Sequence, residues 1–159
     1  MIFYSWQSDL ESKFYRSFIQ NSIESVIKKI NNNFDLNIQL DESTRDVPGS
    51  PDITNTILSK IEKSSIFICD ISSILKSNNK EIPNPNVLFE LGYAMRCLGD
   101  ENIIMIFNEV SGNIKDLPFD LKQKRLFTYK LDSNSCKSNI KKELEGRLED
   151  AIKLILGKN

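Results

Sequence analysis

The stretch NPNVLFELGYAM, residues 84 to 95, sets one carboxylate, Glu90, into an apolar run that reads as the beginning of a helix. An ionised group at the edge of an apolar face loses hydration, so its placement needs a reason. Two reasons are open: Glu90 complements the helix dipole or pairs with an Arg or Lys, or it does chemistry in a partly dry cleft. The rest of the chain narrows that chemistry. Histidine is absent, which removes Ser-His and Cys-His nucleophile pairs and the HExxH zinc motif. Cys69, Cys97 and Cys136 are far apart and lack CxxC spacing, so they read as reduced thiols and no metal site is expected. Neither GxxxxGK[ST] nor GxGxxG occurs, leaving a P-loop or a dinucleotide fingerprint unsupported. What remains is chemistry by carboxylates, hydroxyls, amides and backbone groups.

At about 100° per residue, Asn86, Glu90, Tyr93 and Cys97 share one stripe of their helix, and Val87, Leu91, Ala94 and Leu98 form the neighbouring apolar stripe. Glu90 therefore lies on the border of the buried face, within the first two turns. Asn84 as N-cap and Pro85 at the first helical position fit the start of this helix, whose amide dipoles favour an ionised carboxylate.

The elements that must hold this helix in place alternate along the chain. Apolar runs of strand length are followed by longer amphipathic patterns, the signature of a parallel sheet covered on both faces. A first strand, Ile2 to Tyr4, runs into the polar cluster SWQSD, and a helix is expected from about Glu11 to the Asn31-Asn32-Asn33 triplet. A second strand, Leu36 to Leu40, leads into the polar loop DESTRDVPGSP. Ser50 and Pro51 would then open a helix to about Lys63 that buries Ile53, Ile57, Leu58 and Ile61. The run SSIFICDIS reads as a buried strand and SILKSNNKEIPNP as a long mobile loop. After the Glu90 helix come strands in NIIMIFNE and RLFTYKL and a closing helix, about Lys137 to Leu156. This order predicts an α/β, flavodoxin-like three-layer sandwich with a five-stranded parallel sheet in the order 2-1-3-4-5. Ligands of such sheets bind at the carboxyl ends of the strands, so the first three strand-to-helix loops should share one cleft.

With 159 residues, 40% of them apolar and 27% charged, the chain reads as one soluble domain, residues 1–159. Lys plus Arg number 21 against 22 Asp plus Glu, which provides no global field for nucleic acid or anionic lipid. No apolar run approaches the roughly 20 residues that span a bilayer, and a cytoplasmic location is the default expectation.

The segments IFYSWQSD, DESTRDVPGSPDI, IFICDIS and PNPNVLFELGYA resemble the prokaryotic Toll/interleukin-1 receptor (TIR) domains and TIR-like nucleotide-binding effectors of bacterial anti-phage defence. The likeness extends over nearly the whole chain, and PNPNVLFELGYA is its most specific piece. It implies a flavodoxin-like fold and an NAD+ glycohydrolase or ADP-ribose cyclase, with NAD+ as substrate, no other cofactor, and self-association through TIR contacts. A sensor domain or partner protein is implied as well, the chain standing alone or as one domain of a longer effector. Glu90 matches the helix-borne catalytic glutamate by its position. Cleaving nicotinamide from NAD+ releases a neutral molecule from a pyridinium, so no general acid is needed. One carboxylate beside an oxocarbenium-like ribose, with hydrogen bonds to the ribose hydroxyls, supplies what the transition state requires.

Substrate-binding candidates follow from position along the chain. Ser5, Trp6 and Gln7 should face the cleft, where Trp6 stacks on nicotinamide or adenine or is simply a core-edge aromatic. Arg45 would pair with the pyrophosphate or remain a solvated loop residue. Asn86 and Tyr93, one turn either side of Glu90, would bond the ribose or orient the carboxylate. Asp70, ending the third strand, is expected to cap a loop. Two other functions stay open: a nucleoside deoxyribosyltransferase-like N-glycosidic enzyme with the same carboxylate, and a non-catalytic TIR adaptor or nucleotide-sensing module.

Overall fold

The computed structural model describes residues 1–42 and 52–157. Its elements in chain order are β1 (Ile2–Ser5), α1 (Arg16–Phe34), β2 (Leu40–Asp41), α2 (Ile53–Glu62), β3 (Ile66–Asp70), β4 (Ser73–Ser77) and β5 (Lys80–Pro83). They continue with α3 (Pro85–Leu98), β6 (Ile103–Asn108), α4 (Phe119–Lys122), β7 (Leu126–Tyr129) and α5 (Lys137–Ile155). β2-β1-β3-β6-β7 form one sheet whose neighbours all pair in parallel. Counted within the sheet this is the order 2-1-3-4-5 that the sequence predicts.

The layers follow from the period of two along each strand. Ile2 and Tyr4 of β1 with Ile66 and Ile68 of β3 pack against α1 and α5. Phe3, Phe67 and Cys69 turn the other way, onto α2 and α3. The rings of Phe3 and Phe67 stack with centroids 5.9 Å apart. All five residues of β3 are buried, which is why IFICD is apolar without alternation. Ser5 and Asp70 are the polar exceptions, each the last residue of its strand, at the end where a site is expected.

Four boundaries differ from the sequence reading. The chain before α1 is a turn, with Phe14 N–H donating to Glu11 and both Tyr15 and Ser17 N–H to Ser12, so the helix starts at Arg16 rather than near Glu11. Its end passes through the Asn triplet to Asp35, which adopts a left-handed conformation. The Asn31 side chain both donates to and accepts from the Ile38 backbone, at 2.9 and 2.8 Å. That tether holds the approach to β2, and only Leu40 and Asp41 pair with β1. α2 begins at Ile53 under an Asp52 N-cap, while Ser50 and Pro51 lie outside the described residues. Only Ile61 of its four predicted core residues is fully buried, because the first turn of α2 overhangs a cleft and leaves Ile53 59% exposed.

The largest correction concerns SILKSNNKEIPNP, which is a β-hairpin, β4 paired antiparallel with β5. Asn78 and Asn79 both carry positive φ, 49° and 59°, the geometry that two-residue hairpin turns of the primed type require and that Asn tolerates. Glu81 fastens the hairpin to the loop after β6. It is 2% exposed and accepts from Ser73 Oγ at 2.7 Å, Lys76 Nζ at 3.1 Å and the Asn113 N–H at 3.4 Å. Gly112 lies so close that a Cβ there would collide with the Glu81 carboxyl group. β5 runs directly into α3, so this anchor also fixes where the Glu90 helix begins.

Candidate functional site

The polar ends of β1 and β3 meet the start of α3. In the turn after β1 the Gln7 side chain is buried, and both ends of its amide are engaged. Oε1 accepts the Asp9 and Leu10 N–H groups at 2.6 and 3.0 Å, and Nε2 donates to Asp70 at 3.3 Å. Asp70 also accepts the Ser72 N–H at 3.0 Å. Burial pushes its carboxyl up, while bonds from Ser72 and Gln7 draw it back. Gln7 and Asp70 thus shape the turn, the role the sequence favours for Asp70.

α3 starts as its sequence predicts. Asn84 Oδ1 accepts the Asn86 and Val87 N–H groups at 2.8 and 3.2 Å, and Pro85 needs no partner at the first helical position. Asn84 Nδ2 also donates to Asp9 at 2.7 Å, tying the turn after β1 to the helix. Asn84→Ala removes both and is expected to cost about 1 kcal/mol, a fall in melting temperature of roughly 2–4 °C for a chain of this size. An unchanged thermal melt would show that the cap contributes nothing.

Glu90 is half-buried between two clefts that share it and Asn86. The polar one, about 210 Å³, is lined by Tyr4, Ser5, Trp6, Gln7, Ser8 and Asn84. The other, about 240 Å³, is mainly apolar and lined by Ile53, Thr54, Ile57, Leu58 and Phe89. Ser5 Oγ donates to Glu90 Oε2 at 2.6 Å. Burial pushes the Glu90 carboxyl above its ordinary range, and the Ser5 bond offsets part of that rise. Among the described residues no Lys or Arg lies within ion-pair reach of Glu90, so a salt bridge does not account for its position.

Trp6 lines the polar cleft, and the Arg16 guanidinium lies over its ring, 3.3 Å from the centroid. The indole N–H is buried without an acceptor among the described residues, while the ring packs on the core. Tyr93 is not brought to the site, since its hydroxyl donates to Glu62 on α2. Arg45 lies outside the described residues. Of the predicted residues, then, Ser5, Trp6, Gln7, Asn86 and Glu90 line one cleft. The sequence reading missed Arg16 over Trp6, the Asp9–Asn84 tie and the apolar cleft. Phe89 was the available signal for the last, an aromatic beside Glu90 that helical periodicity places off the buried stripe.

A single carboxylate between a polar and an apolar cleft can stabilise a developing cation or attack it as a nucleophile. The only other titratable side chain lining the clefts among the described residues is Tyr4, whose phenol burial pushes well above its ordinary value. No group of His, Cys, Asp and Glu among the described residues could hold a metal ion, and none of their helices is long and apolar enough to cross a membrane.

No curated protein matches the chain. Residues 16–122, more than half of it, match the family described as CAP12/Pycsar effector protein, TIR domain. The matched span runs from the first residue of α1 through α4 and contains the Glu90 helix. By that match the chain belongs to the CAP12/Pycsar effector protein family as a TIR domain.

Proposed function

We propose that the chain cleaves the bond between nicotinamide and ribose in NAD+, as a glycohydrolase or ADP-ribose cyclase acting in anti-phage immunity. The observation that carries this reading is Glu90, half-buried at the junction of two clefts with one oxygen held by Ser5 and no basic partner among the described residues. The apolar cleft suits a neutral aromatic leaving group, and the polar one offers the Asn86 amide to the ribose hydroxyls. Glu90 supplies negative charge beside the oxocarbenium-like carbon, or traps it covalently before water or an internal nucleophile completes the reaction. The leaving nicotinamide is neutral, so the absence of histidine is no obstacle. Self-association through TIR contacts belongs to the same proposal. Ile53 and Phe89, 59% and 57% exposed at the rim of the apolar cleft, supply apolar surface for it.

The test is to incubate concentrated protein with NAD+ and, separately, with deoxynucleosides, and to identify products by chromatography and mass spectrometry. Nicotinamide with linear or cyclic ADP-ribose supports the proposal. Base exchange on deoxynucleosides alone would favour a deoxyribosyltransferase, and no turnover of either an adaptor. Tyr93→Phe is expected to leave NAD+ cleavage within about twofold of wild type, since its hydroxyl faces Glu62, a loss that size being under 0.5 kcal/mol. A tenfold loss in steady-state assays would return Tyr93 to the site.

A further inference from the structure

We propose that Ser5 is a positioning residue, holding one oxygen of Glu90 so that the other, Oε1, faces the reacting carbon. This rests on the NAD+ cleavage reading and adds a role for a side chain 85 positions away in sequence. The geometry carries it. Ser5 is the last residue of β1, is 2% exposed, and directs its hydroxyl at Glu90 Oε2 from 2.6 Å. At that burial the hydroxyl meets the carboxylate and not a substrate. Parallel pairing with β3 sets Ser5 beside Cys69, so the register of two central strands fixes its place. Oε1 has no partner among the described residues. A carboxylate anchored through one oxygen presents the other in a single orientation, as near-attack geometry demands.

The bond also bears on protonation, because a hydroxyl donating to a carboxylate favours the ionised form. Around Glu90, β1 presents the Tyr4 phenol in the polar cleft and β3 the Cys69 thiol, both of which burial pushes up and keeps neutral. The turn after β1 presents Asp9, held by Asn84, and α2 presents Glu62, which meets α3 at Tyr93. None of these donates a hydrogen bond to Glu90, and Ser5 does.

The experiment compares wild type, Ser5→Ala, Ser5→Cys and Ser5→Thr in two readouts. One is the pH profile of NAD+ cleavage, and the other is direct titration of the Glu90 carboxyl by carbon-13 NMR, assigned with Glu90→Gln. In Ser5→Ala the Glu90 titration and the acidic limb of the profile are expected to move up by about one pH unit. At the plateau kcat is expected to fall about tenfold with KM within twofold. Ser5→Thr, which keeps the hydroxyl, should restore both. Ser5→Cys, near in shape but a weak donor, should behave as Ser5→Ala and gives the answer if the alanine variant does not fold. An unmoved titration, or a raised KM at unchanged kcat, would overturn the proposal. If wild type cleaves no NAD+, the functional reading fails. The NMR shift then still decides whether Ser5 holds the carboxylate.

Discussion

Glu90→Gln is expected to abolish nicotinamide release while leaving the folded state as stable as wild type or more so. Glutamine keeps the shape and can still accept the Ser5 hydrogen bond, so only the charge is lost. Burial pushes the Glu90 carboxyl above its ordinary range, which means the folded state holds its proton more tightly than the unfolded chain does. The sign follows. Ionised Glu90 opposes folding, and this penalty grows as pH rises from the unfolded value, about 4.3, through the raised folded value, and persists at neutral pH. Removing the charge should therefore stabilise by on the order of 1 kcal/mol at pH 7 and have little effect near pH 3. A carboxylate retained only for the helix dipole behaves oppositely, since its neutralisation costs about 0.3–1 kcal/mol. Paired thermal melts and nicotinamide assays separate the two, and a destabilised variant that still cleaves NAD+ would remove Glu90 from the mechanism.

Glu81→Ala should be the most destabilising single change among the polar residues of the hairpin. Its carboxylate joins β4, β5 and the loop after β6 through Ser73, Lys76 and the Asn113 N–H, and Lys76 extends the link to Asp116 at 3.2 Å. Truncation leaves the Asn113 N–H and one amine proton of Lys76 without the Glu81 acceptor, returns the Ser73 hydroxyl to its other acceptor, the Leu75 carbonyl at 3.0 Å, and opens a void beside Gly112. A loss of about 2–4 kcal/mol is expected from unpaired buried groups of this kind, measured by urea denaturation. Burial by itself would raise the Glu81 carboxyl, but bonds from Ser73, Lys76 and Asn113 outweigh it and hold the group below its ordinary range. Stability from Glu81 is thus present above the unfolded value and lost as pH falls through the lowered folded one. The gap between wild type and Glu81→Ala should accordingly narrow in acid. A loss below about 0.5 kcal/mol at pH 7 would show that the hairpin is held by its apolar contacts instead.

The parts of the site legible in the chain are those governed by local rules. Asn84-Pro85 announced the start of α3, and the spacing of Val87, Leu91 and Ala94, all buried, placed Glu90 on the border of the buried face. The unbroken run IFICD marked the central parallel strand, and alternation of strand and helix determined the sheet order. The hairpin was harder to see. Its turn signal, Asn78-Asn79, sits between short strands rich in Ser and Lys, and the bond that ties it to the loop after β6 joins Glu81 to Asn113, 32 positions away.

Tyr93 and Ser5 mark the boundary most clearly. Helical periodicity puts Tyr93 one turn from Glu90 on the same stripe, yet the packing of α2 on α3 places Glu62 within reach and draws the phenol to it. Ser5 has no local relation to Glu90, but the parallel register of β1 on β3 and the seating of α3 over them bring hydroxyl and carboxylate to 2.6 Å. By itself the sequence determined the strands of the parallel sheet, the long helices that cover it and which carboxylate stands out, because backbone propensity and hydrophobic period act within a few residues. Tertiary structure alone decided what touches that carboxylate, because contacts between distant residues depend on strand register and helix packing, which no short window of sequence contains.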